Sequence, residues 1–284
     1  MRPLCVSVNQ VKDELGASGA NSSMGIYLDR LADSEGQARI ITRQIDEAQS
    51  WIELRLGVYM FQTRVVTRPV TMGKIRGRDY DVEEDGYPYS RNDFSRYGTV
   101  YLRRRPVVHV ERAGLRMGNA TEQLAANEWP PGWINPQQRM GILHILPILG
   151  TGGQMGAGSA LLLPLIAGHF PGNVDIPLIF SVDYTAGFLP TDFDPDDPDM
   201  HASTASPDFD CNPLVNATRM RAAAGVLAIL GRTIAPGGGG IGMDGFSQSW
   251  QGNRFQAEID DYNRRCEEEI SMMESQFPVP VVGI

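Results

Sequence analysis

The sequence predicts an α+β protein: a small helical bundle with a large β-rich insertion in the chain between its helices. Three segments have the helical spacing of apolar residues, near residues 34–57, 213–235 and 253–277. Between the first and second of these, from about residue 61 to 187, the pattern changes to short alternating runs typical of strands. The 31 glycines and 19 prolines indicate long connections and many turns.

These patterns divide the 284 residues into five parts. We expect a solvated or subunit-contacting arm, a helical core made from two separated segments, a β-rich insertion, an acidic loop and an apolar tail. In that order, the bounds are 1–33, 34–60 together with 213–277, 61–187, 188–212 and 278–284.

The first predicted helix begins at Ser34, because Ser34 and Gln37 have the spacing of a capping box. Apolar residues then recur every three or four positions, and Gly57 is a suitable residue to end the helix. The apolar positions are Ile41, Ile45, Ala48, Ile52 and Leu56. The pattern is that of an amphipathic helix with one buried face.

The β-rich insertion contains several short strand signals. A strand over residues 62–70 includes Pro69, which marks it as an edge strand. Residues 77–98 are charged and tyrosine-rich and are expected to form an irregular loop. Further strands are expected at 99–102, 107–111, 140–149 and 176–184, with a hairpin at Gly118-Asn119 and a turn at 129–133.

The second and third helices are joined by a glycine-rich segment. The second is rich in Ala and Leu and is expected to be buried on most sides. The third has one apolar stripe, formed by Phe255, Ile259, Tyr262, Cys266, Ile270 and Met273. Pro236 and the glycines at 237–240 predict a flexible connection. A phosphate-binding loop would need a Gly-Lys-Ser/Thr sequence after a strand, and this segment has no lysine and follows a helix.

Net charge and cysteine content exclude several classes of protein. The formal charge of −9 argues against a basic surface that binds nucleic acid generally. Cys5, Cys211 and Cys266 are far apart in the chain, which favours neither a disulfide framework nor a zinc site and fits a reducing environment. Residues 1–16 lack the pattern of a signal peptide, and the apolar region 140–170 is too interrupted for a membrane span.

No catalytic residue, cofactor or metal site is predicted. The four histidines are isolated from one another and from any serine or cysteine in a nucleophile context. They are His109, His144, His169 and His201. Asp192, Asp194 and Asp196 alternate as in a calcium loop, but Asp197 stands where that loop needs glycine and Ser203 where it needs glutamate.

Two charged segments are candidate contact sites. Arg103, Arg104 and Arg105 form a basic cluster, whose simplest interpretation is a solvated strand end. The functional alternative is a face that docks an acidic partner or the aspartate segment of a neighbouring copy. That segment belongs to the run 183–210, which holds eight aspartates and no lysine or arginine; its candidate contact residues are Asp192, Asp194, Asp196 and Asp197.

Three short motifs occur in a characteristic order. They are LRRRPVVHV at 102–110 with a predicted hairpin after it, VDYTAGF at 182–188, and DGFSQS at 244–249. Together with the helix before them and the helices around the last motif, this order resembles the head-to-tail connector (adaptor) proteins of tailed bacteriophages. In that family Asp244, Gly245, Phe246 and Ser247 would be the loop marker. The resemblance covers about residues 34–277, and this chain is longer than a typical member, with extra material at 1–33, 71–98, 134–175 and 189–212.

The resemblance implies a structural virion protein that performs no chemistry and needs no cofactor. About twelve copies would form a ring under the portal protein, extend the DNA channel and carry downstream neck or tail proteins. DNA would pass through the lumen without specific binding, and no membrane would be involved. The protein would be assembled in the host cytoplasm and end in the virion neck.

The apolar, proline-spaced tail is the predicted portal-docking segment, because an extended end after a charged helix has no local partner. Its residues are Phe277, Pro278, Val279, Pro280, Val281, Val282 and Ile284. Alternatives are a neck stopper or tail-completion protein, a nucleotide-binding enzyme that uses the glycine-rich segment, and a receptor-binding or fibre-base module.

Overall fold

The protein is described by a computed structural model over eleven ranges of the chain. These are residues 3–17, 23–67, 82–84, 86–89, 99–115, 128–145, 176–197, 210–234, 240–243, 246–249 and 255–276. Within them the fold is α+β, as the sequence predicts. The chain forms two compact units. The helical unit contains Met1–Leu56 and Asp192–Gln276, and the sheet unit contains Gly57–Thr191.

Five α-helices are present in the described ranges of the helical unit. They are α1 (Val8–Glu14), α2 (Ser23–Leu31), α3 (Ser34–Leu56), α4 (Asn212–Ile234) and α5 (Gln256–Gln276). The last three confirm the predicted helices, with bounds that differ by three residues at most. None of the five is long and apolar enough to cross a membrane.

Helix α4 is the centre of the helical unit, because the other four helices all pack against it or against its partners. Its buried residues are mostly small or branched, which lets α3 and α5 approach closely. They include Leu214, Ala217, Ala222, Ala223, Val226, Leu227 and Leu230. The predicted stripe on α5 is confirmed: Phe255, Ile259, Cys266, Ile270 and Met273 are buried and Tyr262 is half-buried.

The described part of residues 1–33 is not a solvated arm, which corrects the prediction. Ser7 and Gln10 form a capping box at the start of α1, with both reciprocal bonds at 3.1 Å. Val11 on α1 and Leu28 on α2 are buried, and both helices contact α4. These helices are short and carry few apolar residues, so they depend on α4 for burial and their periodicity is weak in sequence.

The start of α3 also differs from the prediction. Asp33, not Ser34, caps this helix: its Oδ1 accepts the backbone N–H of Gly36 at 2.9 Å. The Gln37 side chain donates to the carbonyl of Ala32 at 3.0 Å instead of completing a box with Ser34. At the other end Gly57 has φ +64°, as expected of the residue that ends a helix.

The sheet unit contains eight described strands in two sheets. They are β1 (Thr63–Thr67), β2 (Val82–Glu84), β3 (Tyr87–Tyr89), β4 (Thr99–Tyr101), β5 (Val107–Leu115), β6 (Ile134–Gln137), β7 (Ile142–Ile145) and β8 (Ile176–Ala186). The larger sheet has the order β2-β1-β8-β3, with β5 also paired to β8, and the smaller has the order β4-β7-β6. Strand β8 is the longest and pairs with three others.

Two predictions for the sheet unit are corrected, and one further strand was not predicted. Strand β1 is not an edge strand, because it lies between β2, in parallel, and β8, in antiparallel orientation. The expected loop at 77–98 contains β2 and β3. The expected turn at 129–133 includes a 3₁₀ turn at Pro131–Trp133, and β6 follows it without having been predicted. These strands have three to five residues, too few for a clear alternation. Pro69 and the predicted hairpin at Gly118-Asn119 lie outside the described residues.

The glycine-rich connection in the helical unit is a β-hairpin where it is described, which corrects the prediction of a flexible segment. Strand β9 (Gly240–Met243) pairs in antiparallel register with β10 (Phe246–Ser249), and Met243 is opposite Phe246. The two intervening residues are Asp-Gly, a dipeptide typical of two-residue hairpin connections. This dipeptide indicates a hairpin in the sequence, whereas the glycine run before it indicates a flexible connection.

We predict that Gly187→Ala destabilises the protein far more than Gly57→Ala. Both glycines have positive φ, +135° and +64°. A Cβ on Gly187 would also clash with the Phe61 carbonyl and lie 2.7 Å from the Gln62 nitrogen, whereas one on Gly57 meets nothing within 4 Å. We expect losses of about 3 kcal/mol and about 1 kcal/mol in free energy of unfolding, measured by urea denaturation. Equal losses would contradict this account.

Candidate functional site

Two groups of predicted site residues lie wholly or partly outside the described ranges. The tail residues 277–284 are outside them, as are Asp244 and Gly245. Phe246 and Ser247 are described and belong to β10. The predictions for the tail therefore stay predictions, and the loop marker falls on the β9–β10 hairpin.

Arg105 does not belong to an exposed docking face, which corrects the prediction for this residue. It is 5% exposed, and burial lowers the pKa of its guanidinium. Its backbone forms a bridge to Val58 and it directly precedes β5 through Pro106. Three consecutive arginines have their side chains in different directions, so a cluster in sequence is not a cluster on the surface.

Arg103 and Arg104 lie against tyrosine rings of the same unit. The Arg103 guanidinium is 4.7 Å from the centre of the Tyr87 ring and donates to the Gly86 carbonyl at 3.1 Å. The Arg104 guanidinium is 4.8 Å from the centre of the Tyr59 ring. Contacts of this kind hold the planar guanidinium against the face of the aromatic ring.

A pair of buried tyrosine hydroxyls lies beneath these arginines. The Oη atoms of Tyr87 and Tyr184 are 3.0 Å apart, and both side chains are at most 1% exposed. The backbone N–H of Arg104 donates to the Tyr184 hydroxyl at 3.2 Å. The hydroxyls thus satisfy each other in the core and tie the arginine segment to β3 and β8.

The residue before Tyr184 is a buried carboxylate. Asp183 is 1% exposed and accepts hydrogen bonds from the Thr67 backbone N–H at 2.8 Å and from the Arg112 Nε at 2.5 Å. Arg112 is also 3.6 Å from a carboxylate oxygen of Glu128. A buried charge is tolerated when it is paired and hydrogen-bonded, and Asp183 meets both conditions.

Two of the three motifs that carry the family resemblance are neighbours in the larger sheet. In the antiparallel register of β5 and β8, Val107 is opposite Ala186 and Val110 is opposite Tyr184. After β8, the Gly187 N–H donates to the Pro106 carbonyl at 2.9 Å. Segments about 75 residues apart in the sequence therefore form one piece of structure. Sequence reasoning missed its partners Thr67, Tyr87 and Arg112, since nothing local marks them.

The aspartate segment belongs to the helical unit and the arginine segment to the sheet unit. All four predicted aspartates are at the surface: Asp192, Asp194 and Asp196 are exposed and Asp197 is half-buried. The segment is nevertheless ordered on its own copy. Phe193 is buried, and the Gln10 side chain of α1 donates to the Pro195 carbonyl at 2.9 Å.

The three cysteine thiols are buried, and the described residues contain no cluster of metal-binding side chains. No group of three His, Cys, Asp or Glu side chains lies close enough there to hold a metal ion. Burial raises the pKa of Cys211 to about 12, with a further contribution from Asp210, and that of Cys266 to about 11. Both thiols are therefore protonated near neutral pH and are poor nucleophiles.

No protein-family model and no curated protein matches this chain. A proposal about its function therefore rests on the residues described above and on the order of its motifs.

We predict that Asp183→Asn lowers the free energy of unfolding by about 2 kcal/mol, because an amide of the same shape leaves the Arg112 guanidinium facing a neutral group. Urea denaturation monitored by circular dichroism measures the loss. Glu111→Gln is the matched control. Glu111 lies on β5 beside Arg112, and its carboxylate is 2.7 Å from the Arg64 guanidinium. This pair is solvent-exposed and should be worth less than about 1 kcal/mol. A larger loss for the control would contradict the assignment.

Proposed function

We propose that this protein is a structural virion protein, the head-to-tail adaptor that forms a ring under the portal. In this role it extends the DNA channel and provides the platform for neck or tail attachment. It acts by contact with the portal, with neighbouring copies and with the next component, and it carries out no reaction.

The observation that carries the proposal is the pairing of the two motif segments in β5 and β8. An adaptor resemblance based on short motifs is weak if these lie in unrelated parts of a fold. Here the arginine segment and the VDYTAGF segment share a register and a hydrogen bond between Arg104 and Tyr184. Two of the three motifs therefore belong to one piece of structure, which supports the proposal.

The architecture provides a second, coarser support. The helical unit is built from the two ends of the described chain, and the sheet unit is inserted between α3 and α4. A helical bundle with a β-rich insertion is the arrangement that the resemblance implies. Since one fold hosts many functions, this agreement only supports a proposal that rests on the motifs.

We predict that the purified protein forms rings of about twelve copies on purified portal protein. The measurement is negative-stain electron microscopy of the mixture, in which we expect such a ring stacked coaxially on the portal. A neck stopper would give no direct complex with the portal, and a fibre-base module would give trimers or hexamers by native mass spectrometry. Either of those results would overturn the proposal.

We further predict that removal of Pro278–Ile284 weakens binding to the portal, because an apolar extended segment can add itself to a partner surface. Co-sedimentation with the portal measures the loss, and circular dichroism tests whether the fold is kept. A matched control replaces the same seven residues with a Gly/Ser segment of equal length. Portal binding that is unchanged in both variants would remove the tail from the interface.

A further inference from the structure

Helices α3, α4 and α5 enclose a groove of about 340 Å³ in the helical unit. Its floor consists of small residues: Ala48, Ala224, Gly225 and Ala228. Its walls are mostly polar or aromatic, with one aliphatic residue: Gln44, Glu47, Trp51, Arg221, Asn263 and Ile259. The Gln44 side chain lies directly over Gly225, where any larger residue would displace it. The groove is thus a built feature with a narrow floor and charged walls.

Arg221 is the cation of this groove, and it is held in place without a carboxylate. Its guanidinium lies 4.3 Å from the centre of the Trp51 ring and donates to Asn263 Oδ1 at 2.9 Å. In the described part of the chain Arg221 takes part in no ion pair. By contrast, Arg55 on α3 and Arg219 on α4 do form ion pairs. The remaining N–H groups of a guanidinium suit a carboxylate, which it can bind through two parallel hydrogen bonds.

The other charges at the groove leave this cation available. Glu47 is the acidic wall residue, and its carboxylate accepts from Arg43 Nε at 2.8 Å and from Gln44 Nε2 at 2.9 Å. Its charge is therefore partly offset by Arg43 on its own helix, in a pair that is exposed to solvent. An incoming carboxylate would meet the positive edge of Arg221 beside an aromatic wall, in a recess where water competes less than on an open surface.

The chain itself carries carboxylates that suit this recess. Asp192 and Asp196 are exposed on a short segment that is fixed to α1 through Gln10 and Pro195. A segment ordered before binding loses little conformational entropy when it docks. The formal charge of the chain is −9, so a partly enclosed arginine without an acidic partner is a specific feature on an acidic protein.

The aspartate segment of one copy does not lie near the groove of the same copy. Helix α1 contacts α4 through Glu14 and Arg219, 3.0 Å apart, and the backbone near its start contacts α3 through Cys5 and Gln49. On a helix with 3.6 residues per turn, Arg219 lies about 200° around from Arg221, and Gln49 lies about 200° around from Trp51. The aspartate segment, fixed to α1, is therefore on the side of these helices that faces away from the groove.

We propose that the groove receives Asp192 or Asp196 of a second copy, in a head-to-tail contact centred on Arg221. Two different surfaces of one chain are used, so the contact is heterologous and generates a ring when the rotation between copies closes. This deepens the proposed function by assigning the contact between neighbouring subunits. It also replaces the predicted docking of the aspartates on Arg103–Arg105, of which Arg105 is buried.

Cross-linking between two differently tagged copies tests the contact directly. One copy carries Asp194→Cys, which leaves Asp192 and Asp196 in place, and the other carries Glu47→Cys at the groove wall; the native Cys5, Cys211 and Cys266 are buried. We expect mild oxidation to give a disulfide-linked dimer that contains one copy with each tag. The control places the second cysteine at Glu35→Cys, exposed on the same helix but about 18 Å away. Cross-linking that is absent, or equal for Glu47→Cys and Glu35→Cys, overturns the proposal.

Sedimentation velocity over a range of concentrations gives an independent measure. We expect Arg221→Gln, and separately Asp192→Asn with Asp196→Asn, to weaken self-association about tenfold or more. Arg39→Gln is the control, because Arg39 is exposed on α3 and, in the described part of the chain, pairs with Glu35 along the same helix. Thermal unfolding checks that each variant is folded. Wild-type protein that stays monomeric, or variants that associate like wild type, would overturn the contact.

Failure of this contact is distinguishable from failure of the adaptor function. Self-association that depends on Arg221, without any binding to the portal, keeps the contact and removes the adaptor proposal. Rings on the portal that form equally well with Arg221→Gln keep the adaptor proposal and remove the contact.

Discussion

The larger sheet depends on one buried carboxylate. Asp183 joins three strands, since it belongs to β8, pairs with Arg112 of β5 and accepts the backbone N–H of Thr67 at the end of β1. The Thr67 hydroxyl also donates to the carbonyl of Val182 at 2.8 Å and accepts its N–H at 3.1 Å. The β1–β8 ladder is thereby extended by side chains past Val65, where the backbone register ends. A polar network of this kind fixes one register, because a slip would leave a buried charge without partners.

This network explains why the motif around β8 contains polar residues at all. Asp183 and Tyr184 are adjacent and so point to opposite faces of the strand. Asp183 joins β8 to β1 and β5. The Tyr184 hydroxyl hydrogen-bonds with the Tyr87 hydroxyl and accepts the backbone N–H of Arg104. Gly187 then follows with a backbone conformation that other residues rarely adopt, close to Phe61. Asp183, Tyr184 and Gly187 thus each have a defined structural partner in the segment's surroundings.

Sequence reasoning found what depends on long periodicity and missed what depends on short or distant contacts. The helices α3, α4 and α5, the apolar stripe of α5 and the strand β8 follow from apolar spacing over many residues. Helix α1 and strands β2, β3 and β6 are too short for such spacing, and their burial is supplied by partners far along the chain. The capping signal at Ser7-Gln10 and the Asp-Gly dipeptide after β9 were local signals that could have found two of the missed elements.

Charged residues were the hardest to interpret from sequence, and the reason is geometric. Arg103–Arg105 form the densest basic run in the chain, yet the structure buries Arg105 and places the others against Tyr87 and Tyr59. Arg221 is one of three arginines in an alanine-rich helix, and only the packing of α3 and α5 against α4 makes it the cation of a groove. Charge density along a sequence measures how many cations are near one another, whereas binding depends on which of them lacks an internal partner. For this protein, Arg221, which lines a groove and takes part in no ion pair in the described residues, is therefore a better guide to a contact than the arginine cluster.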